Sequence, residues 1–293
     1  MKTVCVLMST YNGEKFIEEQ IQSIFRQKDV NVYLTVRDDG SNDRTISILK
    51  KYEKEKKLKL YQGEKNLGPA CNFMELLYNS GEFDYYAFAD QDDVWLEEKL
   101  IRAIHKLEKI NDEPGLYCSN QLIYKDNVVE GMRFESVPKH GIIQAICGNV
   151  FSGCTMVFNI QLAKILKKNE YRPSNNVLNI RMHDTWVIAV AEYVGKVVYD
   201  QNSYIKYRIH ENNTVGLNNN KIHRLMKIIK YIEYKNGRSE LAKELLKIDC
   251  AKDERVENFA LKSKSKIITN RNITDNCGEN KLLFLVKIIL GWF

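Results

Sequence analysis

Residues 3–89 alternate short runs of strand-like apolar periodicity with longer amphipathic runs of helical periodicity. This alternation predicts βα units that stack into a largely parallel sheet. The expected strands are residues 3–8, 33–37, 58–62 and 85–89. The expected helices between them are residues 14–27, 43–56 and 69–79, the last with proline near its first turn. The chain is therefore expected to adopt an α/β fold.

In such a sheet, ligands bind beyond the carboxyl ends of the strands. The segments expected there are 9–13 (Ser-Thr-Tyr-Asn-Gly), 38–43 (Asp-Asp-Gly-Ser-Asn-Asp), 63–68 and 90–93 (Asp-Gln-Asp-Asp). The three carboxylates of residues 90–93 repel one another unless a positive charge lies among them. A divalent cation that carries a phosphate fits this requirement. The alternative is a surface turn whose Asp93 caps the next predicted helix, residues 96–111.

Two other strand ends carry residues suited to a nucleotide. Tyr11 is a candidate for stacking on a base, and Thr10 for bonding the base or ribose; the alternative is an ordinary turn into a helix. Asp39 is a candidate acceptor for the imino proton of uracil or thymine. Its segment is otherwise a loop in which Ser41 or Asn42 caps the following helix.

The second half of the chain has a mixed pattern. Short strands are expected within 116–129 and at 153–159, 196–200 and 203–208, and helices at 160–168 and 183–193. Asp184, near the start of the last helix, is either an ordinary helix N-terminal residue or a general base for an acceptor hydroxyl. His210 is either structural or a third metal ligand or diphosphate contact, and Arg208 is a second candidate for pairing with an anion.

The basic charge lies in the C-terminal quarter. Residues 221–293 contain 16 Lys and Arg against nine Asp and Glu, whereas the whole chain has a net charge of +6. The apolar segment 282–293 is shorter than the roughly 20 residues that span a membrane. It is expected to lie on a membrane surface or to pack on protein. For residues 221–293 as a whole, the alternative is an ordinary helical cap whose lysines are solvated.

Several classes are disfavoured by what the sequence contains. The seven cysteines form no CxxC pair and no signal peptide precedes the first predicted strand, so we expect a cytoplasmic protein with reduced cysteines and no zinc cluster. The first strand is not followed by a P-loop or a GxGxxG motif, which disfavours a nucleotidyltransferase or other nucleotide-binding α/β enzyme. A nucleic-acid-binding protein that uses the basic tail leaves the acidic segments unexplained.

Together, these segments resemble glycosyltransferase family 2, inverting enzymes of the GT-A fold, and more narrowly its rhamnosyltransferase-like members. The resemblance covers roughly residues 3–217 and rests on residues 9–13, 38–45, 66–68, 90–95, 182–184 and 207–210. It implies a GT-A domain with a mostly parallel central sheet over residues 1–217. The basic helical extension, residues 218–293, is then expected to associate with a membrane or to form homo-oligomers.

The resemblance also implies the site. The residues it assigns to the nucleotide-sugar are Thr10, Tyr11, Asn12, Asp39, Asn66, Asp90 and Gln91, with Tyr11 and Asp39 at the base and Asp90 at the ribose. It assigns Mn²⁺ or Mg²⁺ to Asp92, with His210 as a further ligand, and the role of catalytic base to Asp184. The acceptor-side residues that it implies are Gly153, Cys154, His183 and Trp186.

The reaction that the resemblance implies is metal-dependent, inverting transfer of a sugar from a dTDP- or UDP-sugar. The expected sugar is L-rhamnose, with glucosyl, galactosyl or N-acetylhexosaminyl transfer by the same mechanism as alternatives. The expected acceptor is a hydroxyl of a growing bacterial surface polysaccharide or a lipid-linked glycan. The other expected partner is the inner membrane surface, and nucleic acid is not expected to bind.

Overall fold

A computed structural model describes residues 1–211 and 236–293. These residues form two compact units. Unit 1 contains Met1–Val137, Phe151–Lys168 and Gly195–Arg208, and unit 2 contains Pro138–Val150, Asn169–Val194 and the described part of Ile209–Phe293. The domain boundary predicted between residues 217 and 218 and the basic stretch 222–230 lie outside the described residues. The division into a GT-A domain and an extension stays a prediction.

Unit 1 is built on a sheet to which nine strands of the described residues contribute. In chain order the strands are β1 (Lys2–Thr10), β2 (Val30–Asp38), β3 (Leu58–Gln62), β4 (Tyr85–Ala89), β5 (Val94–Trp95), β6 (Gly115–Lys125), β7 (Val128–Met132), β8 (Val157–Asn159) and β9 (Lys196–Arg208). Their order across the sheet is β3-β2-β1-β4-β8-β6-β9-β5, and β7 pairs with β6. The first four strands are parallel, and β8 runs antiparallel to both of its neighbours.

The α-helices of the described residues are divided between the two units. In chain order they are α1 (Ile17–Phe25), α2 (Thr45–Lys54), α3 (Pro69–Tyr78), α4 (Lys99–Leu107), α5 (Ile142–Cys147), α6 (Ile160–Lys167), α7 (Asn175–Val194), α8 (Gly237–Leu245), α9 (Glu254–Ala260), α10 (Lys264–Thr269), α11 (Arg271–Asp275) and α12 (Lys281–Ile289). Helices α1–α4 and α6 belong to unit 1, and the others belong to unit 2. No helix of the described residues is both long and apolar enough to cross a membrane.

Burial of the central strands determines where the polar strand ends lie. Strands β1 and β4 are buried along most of their length, as is typical of parallel strands covered on both faces. Thr10 is in register with Asp38, and Met8 is in register with Ala89. The segments that follow β1, β2 and β4 therefore begin side by side at one edge of the sheet, as the sequence predicted.

The element predictions are correct in most places and wrong in a few. Strands β3 and β4 have the predicted bounds. The two strands expected at 196–200 and 203–208 are one strand, β9, because shifts in its register against β6 absorb the polar residues between them. The expected strand 153–159 begins as a 3₁₀ turn over Gly153–Thr155, and β5 was not predicted, because two residues carry no periodicity.

Candidate active site

The two adjacent carboxylates at the end of β2 have different partners. Asp38 is 1% exposed, and its Oδ2 accepts hydrogen bonds from Thr10 Oγ1 at 2.9 Å and Ser41 Oγ at 2.5 Å. The Ser41 amide donates to Asp38 Oδ1 at 2.8 Å. Asp38 therefore holds the loop after β2 in place. Thr10 is buried with it, and in this structure its hydroxyl donates to Asp38.

Asp39 anchors the loop that follows β3. It is 2% exposed, and it accepts hydrogen bonds from the Leu67 amide at 2.9 and 3.0 Å and from the Gly68 amide at 2.9 Å. Arg37 Nη1 also donates to Asp39 Oδ1 at 2.6 Å. A carboxylate offers about four lone-pair positions. The Leu67 amide, the Gly68 amide and Arg37 are three donors, so about one position is left for the imino proton of a base, whose recognition by Asp39 stays a prediction.

Arg37 and Asn72 complete this anchor, and neither was predicted from the sequence. Asn72 is fully buried near the start of α3; its Oδ1 accepts from Arg37 Nη1 at 2.5 Å, and its Nδ2 donates to Ser9 Oγ at 2.6 Å. A buried asparagine must find partners for both its amide groups. The only sequence signal for it was a polar residue on an otherwise apolar helix face.

The loop after β1 is fastened to two neighbouring loops. Gln91 Oε1 accepts from the Tyr11 amide at 2.9 Å, and Gln91 Nε2 donates to the Tyr11 carbonyl at 3.0 Å. Asn12 has a left-handed backbone with φ of 49°, and its Oδ1 accepts from the Asn42 amide at 2.8 Å. The Tyr11 side chain is 46% exposed, which leaves its ring accessible to a ligand. Gln91 and Asn12 hold this loop in place.

Asn66 lies in the loop after β3, where its Oδ1 accepts from the Gly68 amide at 3.0 Å. This local turn supports the Gly68 amide, which also donates to Asp39. A cavity of about 430 Å³ lies beneath this loop. Its lining includes Arg37, Tyr61, Leu67 and Glu75, but none of the residues predicted to bind the donor. The cavity thus shares Arg37 and Leu67 with the anchor of Asp39.

The acidic turn, which we define as residues 90–93, follows β4. Asp90 and Asp92 are partly exposed, whereas Asp93 is fully buried. Burial, together with the negative charges of Asp92 and Asp90, raises the pKa of Asp93 well above its usual range. Asp93 Oδ1 accepts from the Arg208 amide at 3.0 Å. The three carboxylates are therefore close enough to repel one another, as the sequence predicted.

Two buried side chains, the thiol of Cys154 and the amine of Lys99, lie next to the acidic turn. Cys154 is 1% exposed; its Sγ lies within 4.8 Å of carboxylate oxygens of Asp90 and Asp93, and Gln121 Nε2 donates to it at 3.3 Å. Burial raises the pKa of the Cys154 thiol well above its usual range, so the thiol stays neutral. Burial also lowers the pKa of Lys99 to about 8, and its Nζ lies 4.0 Å from the centre of the Trp95 ring. Neither Lys99 nor Gln121 was predicted.

These residues fit a hard divalent cation at the exposed side of the turn. Mn²⁺ and Mg²⁺ prefer carboxylate oxygen, which the partly exposed Asp90 and Asp92 present, and a cation there reduces the repulsion among the carboxylates of the turn. The neutral thiol of Cys154 does not fit such an ion as a ligand. Gly153 and Cys154, predicted to border the acceptor, are both buried beside this turn.

In unit 2, the predicted base lies two residues after a backbone distortion. Helix α7 is interrupted at Met182, whose φ of 66° and ψ of 158° are not helical, so its second part begins at His183. Asp184 is partly exposed, and its Oδ1 accepts from the Thr185 amide at 2.6 Å. Strained backbone of this kind often occurs at functional sites. The distortion had no sequence signal, since Met182 is neither glycine nor next to proline.

Three other predicted site residues, His183, Trp186 and His210, also belong to unit 2. His183 is 5% exposed and Trp186 is 1% exposed, so both side chains are buried. Burial lowers the pKa of His183 to about 3, which keeps its ring neutral at physiological pH. His210 is partly exposed and follows β9 by two residues. An acceptor contact for His183 and Trp186, and metal binding by His210, stay predictions.

Comparisons with known proteins agree on one family. The profile described as Glycosyl transferase family 2 matches residues 5–169. The dTDP-rhamnosyl transferase RfbG of Shigella flexneri is 31% identical over 226 residues, which cover 72% of this chain and 74% of that protein. The UDP-Glc:alpha-D-GlcNAc-diphosphoundecaprenol beta-1,3-glucosyltransferase WfgD of Escherichia coli is 33% identical over 127 residues, which cover 43% of this chain and 49% of that protein.

Solved structures share the fold at low sequence identity. The crystal structure of S. aureus TarS 1-349 in complex with UDP has a TM-score of 0.59 and 18% identity, covering 93% of this chain and 73% of that chain. The mannosyltransferase PcManGT from Pyrobaculum calidifontis, in complex with GDP-Man and Mn²⁺, has a TM-score of 0.52 and 14% identity, covering 98% and 86%. These likenesses confirm the predicted GT-A fold.

Proposed function

Because this chain belongs to glycosyltransferase family 2 and is a glycosyltransferase, we propose that it transfers L-rhamnose from dTDP-L-rhamnose with inversion and with a divalent metal. The acceptor is a hydroxyl of a bacterial surface polysaccharide or lipid-linked glycan. The observation that carries the proposal is the acidic turn, whose Asp90 and Asp92 are partly exposed beside the exposed ring of Tyr11. A base, a diphosphate and a cation are the ligand groups that this arrangement suits.

Each donor residue has a role in the proposal. Tyr11 stacks on the base, Asp39 accepts its imino proton, Asp90 binds the ribose and Asp92 holds the cation. A bound divalent cation stabilises the negative charge that the departing nucleoside diphosphate acquires. Gln91 and Asn12 orient these groups through their bonds to the Tyr11 backbone and the loop after β2.

Asp184 is the proposed base. It takes the proton of the acceptor hydroxyl, whose oxygen forms a bond to the anomeric carbon as the bond to the diphosphate breaks on the opposite face. Support comes from the partial exposure of Asp184 and from the distorted backbone at Met182. His183 and Trp186, which lie on either side of Asp184 in the sequence, are both buried.

The variant Asp184→Asn tests the base. We expect transfer to fall by about 100-fold or more, the usual contribution of a general base. The Kd for the donor should change little, because the assigned step acts on the acceptor. Asp275→Asn is the matched control, since Asp275 is an exposed carboxylate in the same unit, 2.6 Å from Lys281. Full activity in Asp184→Asn removes the residue as base.

The donor is tested by a thermal-shift panel of dTDP-L-rhamnose, UDP-glucose, UDP-GlcNAc and GDP-mannose, each with Mn²⁺ and with EDTA. A ligand that binds the folded state stabilises it by mass action, so the true donor should give the largest shift. The identity to RfbG favours dTDP-L-rhamnose. A larger shift with a UDP-sugar selects one of the alternative sugars, and equal shifts with EDTA contradict the metal dependence.

For the acceptor, we propose a lipid-linked glycan at the cytoplasmic face of the membrane, reached through α12. This helix buries Phe284 and Ile288 but exposes Leu282, Leu283, Val286 and Ile289, and Lys264 donates to the Ile289 carbonyl at its end. Apolar side chains next to lysines suit an anionic lipid surface.

Vesicle co-sedimentation tests the membrane contact. We expect the double variant Leu283→Gln with Ile289→Gln to lose binding to phosphatidylglycerol vesicles, and the unaltered protein to bind phosphatidylcholine vesicles weakly. Val137→Gln removes an equally exposed apolar side chain of unit 1 and serves as the control. Unchanged binding of the double variant contradicts the contact.

A further inference from the structure

The side chain of Arg208 is buried against the acidic turn. Arg208 is 6% exposed, and its Nε donates to the main-chain carbonyl of Asp92 at 2.8 Å. Its Nη2 donates to Glu19 Oε2 at 2.6 Å. The sequence suggested Arg208 as a partner for an anion. In the structure, these two donors are instead committed to groups of the protein itself.

Two aromatic rings lie close to this guanidinium group. Its central carbon lies 4.6 Å from the centre of the Phe16 ring and 4.8 Å from that of Tyr124. A planar cation stacks on such rings and still donates in its own plane, which the tetrahedral ammonium of lysine cannot reproduce. The guanidinium group that donates to the Asp92 carbonyl is therefore confined between neighbouring side chains.

The main chain supports the same contact. The Arg208 amide donates to Asp93 Oδ1 at 3.0 Å, and the antiparallel pairing of β5 with β9 puts Val94 in register with Lys206. Asp92 therefore lies between a paired strand and the Gln91 contact with Tyr11. The Arg208 side chain contacts the main chain of the acidic turn at the Asp92 carbonyl.

We propose that Arg208 is a positioning residue for the metal site, which fixes the main chain at Asp92 and thereby directs the Asp92 carboxylate toward the cation. The inference rests on the proposed function, in which Asp92 holds the metal. Groups that orient a metal ligand without touching the metal commonly contribute 10–100-fold to metal affinity. Arg208 meets this description through the carbonyl of the ligand residue.

The test measures Mn²⁺ binding by electron paramagnetic resonance in the presence of dTDP, and dTDP binding in EDTA by calorimetry. We expect Arg208→Met to raise the Kd for Mn²⁺ by about tenfold or more, with a smaller rise for Arg208→Lys. Binding of dTDP without metal should stay within about twofold, whereas general damage to the fold weakens both. Asp92→Asn is the positive control, and Arg102→Met removes an exposed guanidinium paired with Glu98 at 2.8 Å and is the matched control.

A second variant keeps the inference testable if Arg208→Met does not fold. Glu19→Gln leaves the buried guanidinium in place but removes the carboxylate that holds its Nη2. We therefore expect the Kd for Mn²⁺ to rise in this variant too, by less than in Arg208→Met. If Arg208→Met folds and its Kd for Mn²⁺ is unchanged, the inference is wrong while the proposed function stands. If Arg208→Met does not fold, an unchanged Mn²⁺ Kd in Glu19→Gln has the same meaning. If the unaltered protein binds dTDP equally well with and without Mn²⁺, the proposed metal site and the inference both fall.

Discussion

Gln91 and Tyr11 are joined by two reciprocal hydrogen bonds, one from the Tyr11 amide to Gln91 Oε1 at 2.9 Å and one from Gln91 Nε2 to the Tyr11 carbonyl at 3.0 Å. Gln91 lies in the acidic turn after β4, and Tyr11 lies in the loop after β1. The pair therefore links the proposed metal-binding segment to the proposed base-stacking residue. Displacement of either segment is transmitted to the other.

Replacing Gln91 with alanine removes both bonds. We expect the free energy of unfolding to fall by about 1–2 kcal/mol, from two hydrogen bonds of about 1 kcal/mol each. We also expect the KM for the donor to rise severalfold, because Tyr11 and the acidic turn lose their fixed separation. Urea unfolding and steady-state kinetics measure the two effects. Gln22→Ala, on the exposed face of α1, should change neither, and a Gln91→Ala enzyme with wild-type stability and KM would contradict the link.

Gly13 is coupled to the same side chain. A Cβ atom at residue 13 would lie 2.2 Å from Gln91 Oε1 and 2.5 Å from Gln91 Cδ. Gly13→Ala should therefore destabilise the protein when Gln91 is present and cost less in the Gln91→Ala background. A double-mutant cycle in the free energy of unfolding should give a coupling of about 1–2 kcal/mol. Additive effects would mean that the main chain, rather than Gln91, absorbs the added methyl group.

The strand ends of this fold were predictable because two simple rules determine them. The apolar runs that became β3 and β4 are bounded by polar residues on both sides, and parallel pairing then aligns the strand ends at one edge. The adjacency of the segments after β1, β2 and β4 follows from that pairing. The sequence therefore predicted that these loops lie together, and their role as the donor site stays a prediction.

The partners within the site were not predictable in the same way. Arg208 contacts Asp92 across 116 positions, and Asn72 contacts Ser9 across 63. Such contacts depend on the packing of distant elements, which local periodicity does not report. The distortion at Met182 is a further example, because no glycine or proline marks it. Adjacent carboxylates Asp38 and Asp39 also appear equivalent in sequence, although they anchor different loops.

The proposed contact of Asp39 with the base can be separated from its contact with the loop. In the unaltered protein, dTDP should bind about tenfold or more tightly than its N3-methyl derivative, since methylation removes the imino proton. In Asp39→Ala this preference should vanish, while both nucleotides bind more weakly because the Leu67 and Gly68 amides lose their acceptor. Calorimetry measures the four affinities. If neither protein prefers dTDP over its N3-methyl derivative, and Asp39→Ala weakens the binding of both nucleotides equally, Asp39 anchors the loop but does not contact the base.

A pH-dependent contribution to stability is expected from His140 in unit 2. His140 Nδ1 lies 2.7 Å from Glu192 Oε1, and this hydrogen bond raises the pKa of His140 above its ordinary value of 6.5 against the opposing effect of burial. A raised pKa in the folded state means that the protonated ring is favoured by folding. The stabilisation is fully present below the unfolded pKa and is lost as the pH rises through the folded pKa.

Replacing His140 with glutamine removes this contribution. The difference in unfolding free energy between the unaltered protein and His140→Gln should be largest near pH 5 and should shrink toward about pH 9, where the ring is neutral in both states. Glu192→Gln should give the same trend, because it removes the other partner. His105→Gln, at an exposed position of α4, should show no such trend. Urea unfolding across this pH range provides the measurement, and a difference that grows with pH would mean that the neutral ring is the form stabilised by folding.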